Sequence, residues 1–462
     1  MSVADATPDI EHIDQSDRAF LGHPTGLGYL GFTEGCERFS YYSMQTLLVL
    51  YMVNYLLVPG RMENVIGLEW VQNNIYHGIT GQPLASAIFG TYTALVYLTP
   101  IIGGLIADAI GRNRTLITGG VLMAIGHFLM AIEPAFLLAL LCLLLGVGAF
   151  KGNIATQVGA LYGPNDLRRA MAFQIFYIFI NVSVIAAPLV SGTLGQKVGW
   201  HYGFGCAGVV MVLGLIIYLA GQKYLPADNR PARGEAKAAR EKLTKDDWLN
   251  VLYLVILIPV LAVALLTNQE IFNAYLIWGD KHFDLTMLNG TSSWLITVDA
   301  FLSFTMLVAV AAFWKWWSLS RREPDEISKM IIGSLFTIGG GVCLFMAALT
   351  QPEGGKISLF WPVMFHVLNS VGFAHILPVS LALFSKISPK QITATVIGLY
   401  YLAFFGANAV VGYIGGLYSS LPTTTFWLIH IASAAFGLVA FVIFKAAVGK
   451  RISGARPEAV FE

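Results

Sequence analysis

The sequence predicts an all-α membrane protein: twelve transmembrane helices in two six-helix bundles, with no extra helix pair between the bundles. Three observations carry this. Of 462 residues, 56% are hydrophobic and only 12% are charged, about half the charged fraction of a soluble protein. That leaves too little polar surface to coat a water-soluble globule. Apolar runs recur at the ~20-residue length that crosses ~30 Å of hydrocarbon. One long charged linker divides those runs into two sets.

The elements follow in order. Residues 1–20 form a polar tail with Asp5, Asp9, Glu11, Asp14 and Asp17, and no secretory signal is evident. The N-terminal bundle, 21–222, holds spans near 27–56, 82–107, 114–132, 135–162, 168–194 and 202–222. Residues 223–246 are a cytoplasmic linker rich in charge, too short for two more spans. The C-terminal bundle, 247–448, holds spans near 248–278, 289–318, 327–349, 358–385, 390–418 and 423–446, before a cytoplasmic tail, 449–462.

Basic residues test the count. With the N-terminus in the cytoplasm, 22 of the 28 Lys and Arg fall in inside segments. Four, Arg61, Lys197, Lys281 and Lys356, fall outside. This asymmetry is the positive-inside pattern, and losing one span would invert every later loop. It predicts a multi-pass protein of the cytoplasmic (inner) membrane with both termini cytoplasmic.

A net charge of +1 gives no reason to expect a nucleic acid partner. Cys36, Cys142, Cys206 and Cys343 are scattered through apolar stretches without metal spacing and read as small buried hydrophobes. No metal-ligand set, HExxH or GxSxG is present, so an enzyme is not expected. The charged linker is too short for the output domain of a sensor.

Two basic residues, Arg38 and Lys151, and four acids, Glu34, Glu37, Glu270 and Asp299, lie inside spans. A charge at membrane depth costs at least a few kcal/mol unless paired or hydrated, so such groups mark cavities and pathways. Glu34, Arg38 and Tyr41 or Tyr42 share one helical face in "EGCERFSYY", with Glu37 and Tyr41 on an overlapping stripe. Two carboxylates against one guanidinium leave an acid free for a proton or a solute cation. Lys151 stands mid-span in "GVGAFKGN", whose glycines permit close helix approach. His127, His366, His375 and His430 also fall in or near spans. A lone histidine there is more often a hydrogen-bonded core residue; of the four, His375 is the nearest to a functional reading.

These residues resemble the proton-dependent oligopeptide transporter family of the major facilitator superfamily. Its first-helix motif, Glu-x-x-Glu-Arg-Phe-x-Tyr-Tyr, is matched by Glu34, Glu37, Arg38, Phe39, Tyr41 and Tyr42. "FKGN" (Phe150 to Asn153) is similar to the fourth-helix Phe-Lys-Pro-Asn, with Gly152 for proline. "FQIFYIFINVS" (Phe173 to Ser183) resembles the fifth-helix signature and carries Asn181. "VYLTPIIGG" places Tyr97, "NQE" places Glu270, and "GGLIADAIGRNR" resembles the superfamily turn with Asp108, Gly111 and Arg112.

The resemblance implies a symporter of di- and tripeptides with protons that works by alternating access, without a cofactor other than the coupling proton, as a monomer in the lipid bilayer. It implies that Arg38 and Lys151 meet the peptide carboxylate. Tyr41, Tyr42, Tyr97 and Asn181 would contact its backbone, and Glu34, Glu37 and Glu270, with Arg38, would handle protons. Three departures stand out. Asp299 replaces an eighth-helix asparagine, Phe373 falls at a tenth-helix glutamate that meets the peptide amine, and Gln45 falls at an arginine expected to pair with Glu270. Asp299 is therefore expected to take part of the amine's charge, and the sites of both halves to converge on one mid-bilayer cavity. The alternative is a proton-coupled transporter of another small anion or amino-acid-like solute.

Overall fold

The computed structural model describes residues 17–163, 166–226, 243–351 and 353–453. Most of the expected tails, 1–20 and 449–462, and of the linker, 223–246, lie outside the described residues. Within them the chain is helical, with no β-strand.

Asp17 accepts hydrogen bonds from the Thr25 amide at 2.8 Å and from the Thr25 hydroxyl at 3.1 Å. The Thr25 amide bond first, then the Ala19 amide and the Thr25 hydroxyl, hold the Asp17 carboxyl below its ordinary range, and the Thr25 bonds close the start of α1, Thr25–Tyr51. Then come α2 (Gly81–Ile110), α3 (Arg112–Leu129), α4 (Phe136–Ala160), α5 (Arg168–Ala187, continuing to Val198) and α6 (Trp200–Gly221). After the linker come α7 (Lys245–Ala264), α8 (Trp294–Ser318), α9 (Glu326–Leu349), α10 (Phe360–Ile387), α11 (Thr395–Ser419) and α12 (Thr423–Ser453). Ten of these helices are long and apolar enough to cross a membrane, so the protein is multi-pass. The other two are α1, which carries three charges, and α3, which opens on two arginines. α1 is buried along nearly its whole length, as a charged helix in lipid must be.

The helices sort into two groups. α1 packs on α5 and α6, α4 on α2 and α3, and α3 on α6. In the second group α10 packs on α8 and α9, and α12 on α7 and α9. Lipid gives no hydrophobic drive between helices, so close backbone approach takes its place. A Cβ on Gly148 would come 2.6 Å from Thr99 Cβ, and one on Gly146 would come 2.5 Å from Met123 Cγ. Gly152 meets nothing within 4 Å. The expected glycine contacts of "GVGAFKGN" thus fall on Gly146 and Gly148.

The halves meet along two seams, α2 with α11 and α5 with α8. A Cβ on Gly90 would reach within 2.6 Å of Gly412 N. Gln82 Nε2 donates to Gly415 O at 2.8 Å, and Ser86 Oγ to Asn273 Oδ1 at 2.8 Å. On the other seam Thr297 Oγ1 donates to Ile185 O at 3.0 Å, Trp294 Nε1 to Thr193 Oγ1 at 2.9 Å, and Gln196 Nε2 to Ser292 Oγ at 2.7 Å. These bonds gather at the end whose loops carry Arg61, Lys197, Lys281 and Lys356, the face poor in basic residues.

Two sequence expectations need correction. The seventh span is not one helix over 248–278. It ends at Ala264, and short turns Leu266–Gln269 and Glu270–Phe272 lead to a new helix, Ala274–His282. Side chains meet the freed backbone there: Glu270 Oε1 accepts from Ala274 N at 3.0 Å. Irregular backbone at membrane depth survives only with such partners. The four cysteines are half-buried rather than buried, because a helix face turned to lipid can leave apolar side chains uncovered.

Gly148→Val should lower the unfolding temperature in detergent by the equivalent of about 1–3 kcal/mol, whereas Gly152→Val should leave it nearly unchanged. Equal effects would rule out the close α2–α4 packing.

Candidate functional site

Helical spacing puts Glu34 and Arg38 on one face of α1, with Glu37 beside them. Arg38 Nε lies 3.0 Å from Glu34 Oε1 and 2.5 Å from Glu37 Oε2, and all three side chains are buried. One guanidinium thus serves two carboxylates. Arg38 Nη2, Glu34 Oε2 and Glu37 Oε1 make no hydrogen bond to the protein, so the cluster keeps both donors and acceptors for a solute.

α4 brings Lys151 to this cluster, where its charged neighbours are Arg38, Glu37 and Glu34. Lys151 Nζ stands 4.6 Å from the centroid of the Tyr97 ring, within cation–π range. Tyr97 in turn stacks on Phe404 of α11 at 4.8 Å, so the aromatic wall crosses between the halves. Arg38 lies over Tyr41 at 5.3 Å, and Tyr41 meets Tyr42 edge-on at 5.2 Å. The structure therefore brings Glu34, Glu37, Arg38, Tyr41, Tyr42, Tyr97 and Lys151 together.

Asn181 donates to Tyr177 O on its own helix at 2.8 Å. It sits one turn from Ile185, whose carbonyl receives Thr297 of α8, and so shares the face that α5 turns to the other half. On α8 the buried residues are only Leu295, Ile296 and Asp299. Asp299 is a neighbour of Tyr42 across the halves. Asp299 Oδ1 also pairs with His366 Nδ1 of α10 at 2.8 Å.

Glu270 stands apart. It has no exposed surface; its contacts are the Ala274 amide, His430 Nε2 at 3.7 Å and the backbone of Gly415. A single cavity lined by Arg38, Lys151 and Glu270 therefore does not describe this conformation. The physical reason is the break in the seventh span, where the carboxylate is taken up by the first amide of the helix that follows. Gln45, at the position of the expected arginine, is buried on α1, and its Oε1 makes no hydrogen bond to the protein.

The histidines also sort differently from expectation. His375 accepts from Trp314 Nε1 at 3.0 Å and bonds the Val371 carbonyl at 2.8 Å, as a core residue does. His366 and His430 are the two that meet acids. Neither was legible from spacing, because each partner lies on another helix.

The sequence model of the Major Facilitator Superfamily matches residues 38–412. The chain belongs to this superfamily. Among its superfamily relatives is the uncharacterized transporter YclF of Bacillus subtilis, 28% identical, with 95% of this chain and 96% of the relative covered. A di-/tripeptide transporter of Lactococcus lactis subsp. cremoris is 27% identical, with 94% and 98% covered. The peptide transporter YePEPT of Yersinia enterocolitica is 27% identical, with 86% and 89% covered. A solved structure of the peptide transporter POT in complex with sulfate matches with a TM-score of 0.79 at 26% identity, covering 94% of this chain and 96% of that one. The superfamily and these relatives are transporters, not enzymes.

Arg38→Gln should destabilise the protein by about 3–5 kcal/mol, because it strands two buried carboxylates. Adding Glu37→Gln should restore part of that loss. Thermal unfolding in detergent reads both, and no loss in the single variant would place the cluster in water rather than in the protein interior.

Proposed function

We propose that this protein is a proton-coupled symporter of di- and tripeptides in the cytoplasmic membrane. Twelve helices in two bundles, both termini cytoplasmic and no added helix pair complete the proposed architecture; a single chain suffices. The observation that carries the proposal is the placement of Arg38 and Lys151 in one half with Asp299 near Tyr42 in the other.

A zwitterionic peptide needs a cation at one end and an anion at the other. Arg38 and Lys151 would take the carboxylate, Tyr41, Tyr42, Tyr97 and Asn181 the backbone, and Asp299 the amine. A ligand that bridges two halves draws them together, as at sites formed where repeats meet near midplane. The seams at the basic-poor end support a state closed outward, with alternating access reached by opening them.

Protons enter through charge balance. Arg38 is held by Glu34 and Glu37, and a proton on either acid weakens that hold and frees the guanidinium for a carboxylate. Proton and peptide then favour the same state and are coupled. Glu270, beside the Asn273–Ser86 bond between the halves, is the second proton site of the proposal and acts on the outer seam. The sulfate in the related peptide transporter is in keeping with an anion-binding site on this fold.

Phe373 in place of an acid favours a second reading, transport of another small anion or amino-acid-like solute. Competition of labelled dipeptide uptake by nitrate, single amino acids and tripeptides separates the two.

Purified protein in liposomes should accumulate a labelled dipeptide when the outside is acidic. Lys151→Ala should lose this uptake, and full retention would remove Lys151 from the site. Glu37→Gln should lose proton-driven uptake while keeping peptide exchange across the membrane; robust acid-driven uptake in that variant refutes its coupling role.

A further inference from the structure

Asp299 is one end of a hydrogen-bonded chain that runs into the C-terminal half. Its Oδ1 meets His366 Nδ1 at 2.8 Å, and His366 Nε2 meets the Tyr275 hydroxyl at 2.7 Å. His366 and Tyr275 have no exposed surface, whereas the Asp299 side chain keeps 12% of its own. The chain joins three elements: α8, α10 and the helix Ala274–His282 that follows the broken seventh span. One turn along, Ser303 meets Ser370 at 3.0 Å, so α8 and α10 are joined by polar pairs on successive turns.

The partners fix the tautomer. Tyr275 is set in an aromatic cluster with Phe365, Phe283 and Trp427, and its hydroxyl has His366 Nε2 as its partner. The hydroxyl donates to Nε2, which leaves the ring proton on Nδ1, where it is donated to Asp299. In this form the imidazole is neutral and the pair carries the single negative charge of Asp299. A proton taken up on the imidazole makes the pair neutral overall. Tyr275 then accepts from Nε2–H instead of donating.

We propose that Asp299, His366 and Tyr275 form a receptor for the solute's amine whose charge is switched by a proton on His366. The inference rests on the proposal that Asp299 docks the amine, and adds the group that controls it. With His366 neutral the receptor is anionic and holds an ammonium; with His366 protonated it is neutral and lets the ammonium go. Tyr42 of α1 interacts electrostatically with Asp299. Glu270 and His430 lie beyond Trp427, which packs on both Tyr275 and His430. On α9, Glu326 and Lys329 pair with Lys386 and Glu323 near the helix start, and His375 of α10 is engaged by Trp314. Acid thus favours the Arg38 end of the site and disfavours the amine end, and binding passes through an optimum with pH.

The test compares Ala-Ala with propionyl-alanine, which has the same shape without the amine, by equilibrium binding to the full-length protein between about pH 8 and about pH 5.5. Wild type should prefer Ala-Ala by about tenfold at the alkaline end, and the preference should vanish at the acid end. Asp299→Asn should abolish the preference at every pH. His366→Gln should keep the preference and remove its pH dependence, and Tyr275→Phe, which retains the ring packing, should move its midpoint. If neither probe binds, the peptide reading fails and the receptor with it. If Asp299→Asn leaves the preference intact, amine docking at Asp299 is wrong. If Asp299→Asn abolishes the preference while the pH profiles of His366→Gln and Tyr275→Phe match wild type, only the switch is overturned. Should His366→Gln not fold, the Tyr275→Phe midpoint alone decides.

Discussion

The rest of the structure depends on one constraint: Arg38, Glu34 and Glu37 are buried together on a single helix at membrane depth. Three charges there cannot face hydrocarbon. The helix that carries them is accordingly enclosed by α5 and α6 and buried along nearly all its length. One guanidinium between two carboxylates is not a closed account of charge, and the donors and acceptors left over need either a proton or a ligand. Lys151 on α4 and the tyrosines of α1 and α2 are placed where such a ligand would lie.

The opposite half solves the same problem differently. α8 is largely exposed on its flanks, yet its one acid within the span, Asp299, is buried and paired with an imidazole. Glu270 is sealed completely: the amide of the helix that restarts four residues later meets Oε1, while Oε2 has no hydrogen-bond partner. Both acids sit on elements next to the seams: Asn273, three residues from Glu270, bonds Ser86 of α2, and Thr297, two from Asp299, bonds Ile185 of α5. Any change of charge in this half therefore acts beside the contacts that hold the two halves shut at one end.

The fold was largely legible because lipid imposes a simple rule on sequence. Apolar runs of spanning length and the distribution of basic residues fixed the elements, and the charges left inside those runs marked the α1 cluster. Glu34, Glu37, Arg38, Tyr41 and Tyr42 could be grouped from helical spacing alone, since they share one helix. Two kinds of information were not there to read. The break at 265–273 depends on Glu270 meeting the freed Ala274 amide and on Ser86 of α2 and Asn408 of α11 meeting the side chains of Asn273 and Gln269, and periodicity does not report that. The pairings Asp299–His366 and Glu270–His430 join residues 67 and 160 positions apart, and a single sequence contains no signal of which helices will be neighbours. That is why His375, with Trp314 and a backbone carbonyl as partners, reads from the sequence as more promising than His366.

The central claim is that protons and peptide share the charge balance of the α1 cluster and so move together. The most direct measurement is the pH inside liposomes that contain the purified protein, read with a trapped dye after Ala-Ala is added outside at matched pH. The claim predicts that entry of the peptide acidifies the interior. Entry of labelled Ala-Ala with no change of internal pH would contradict it.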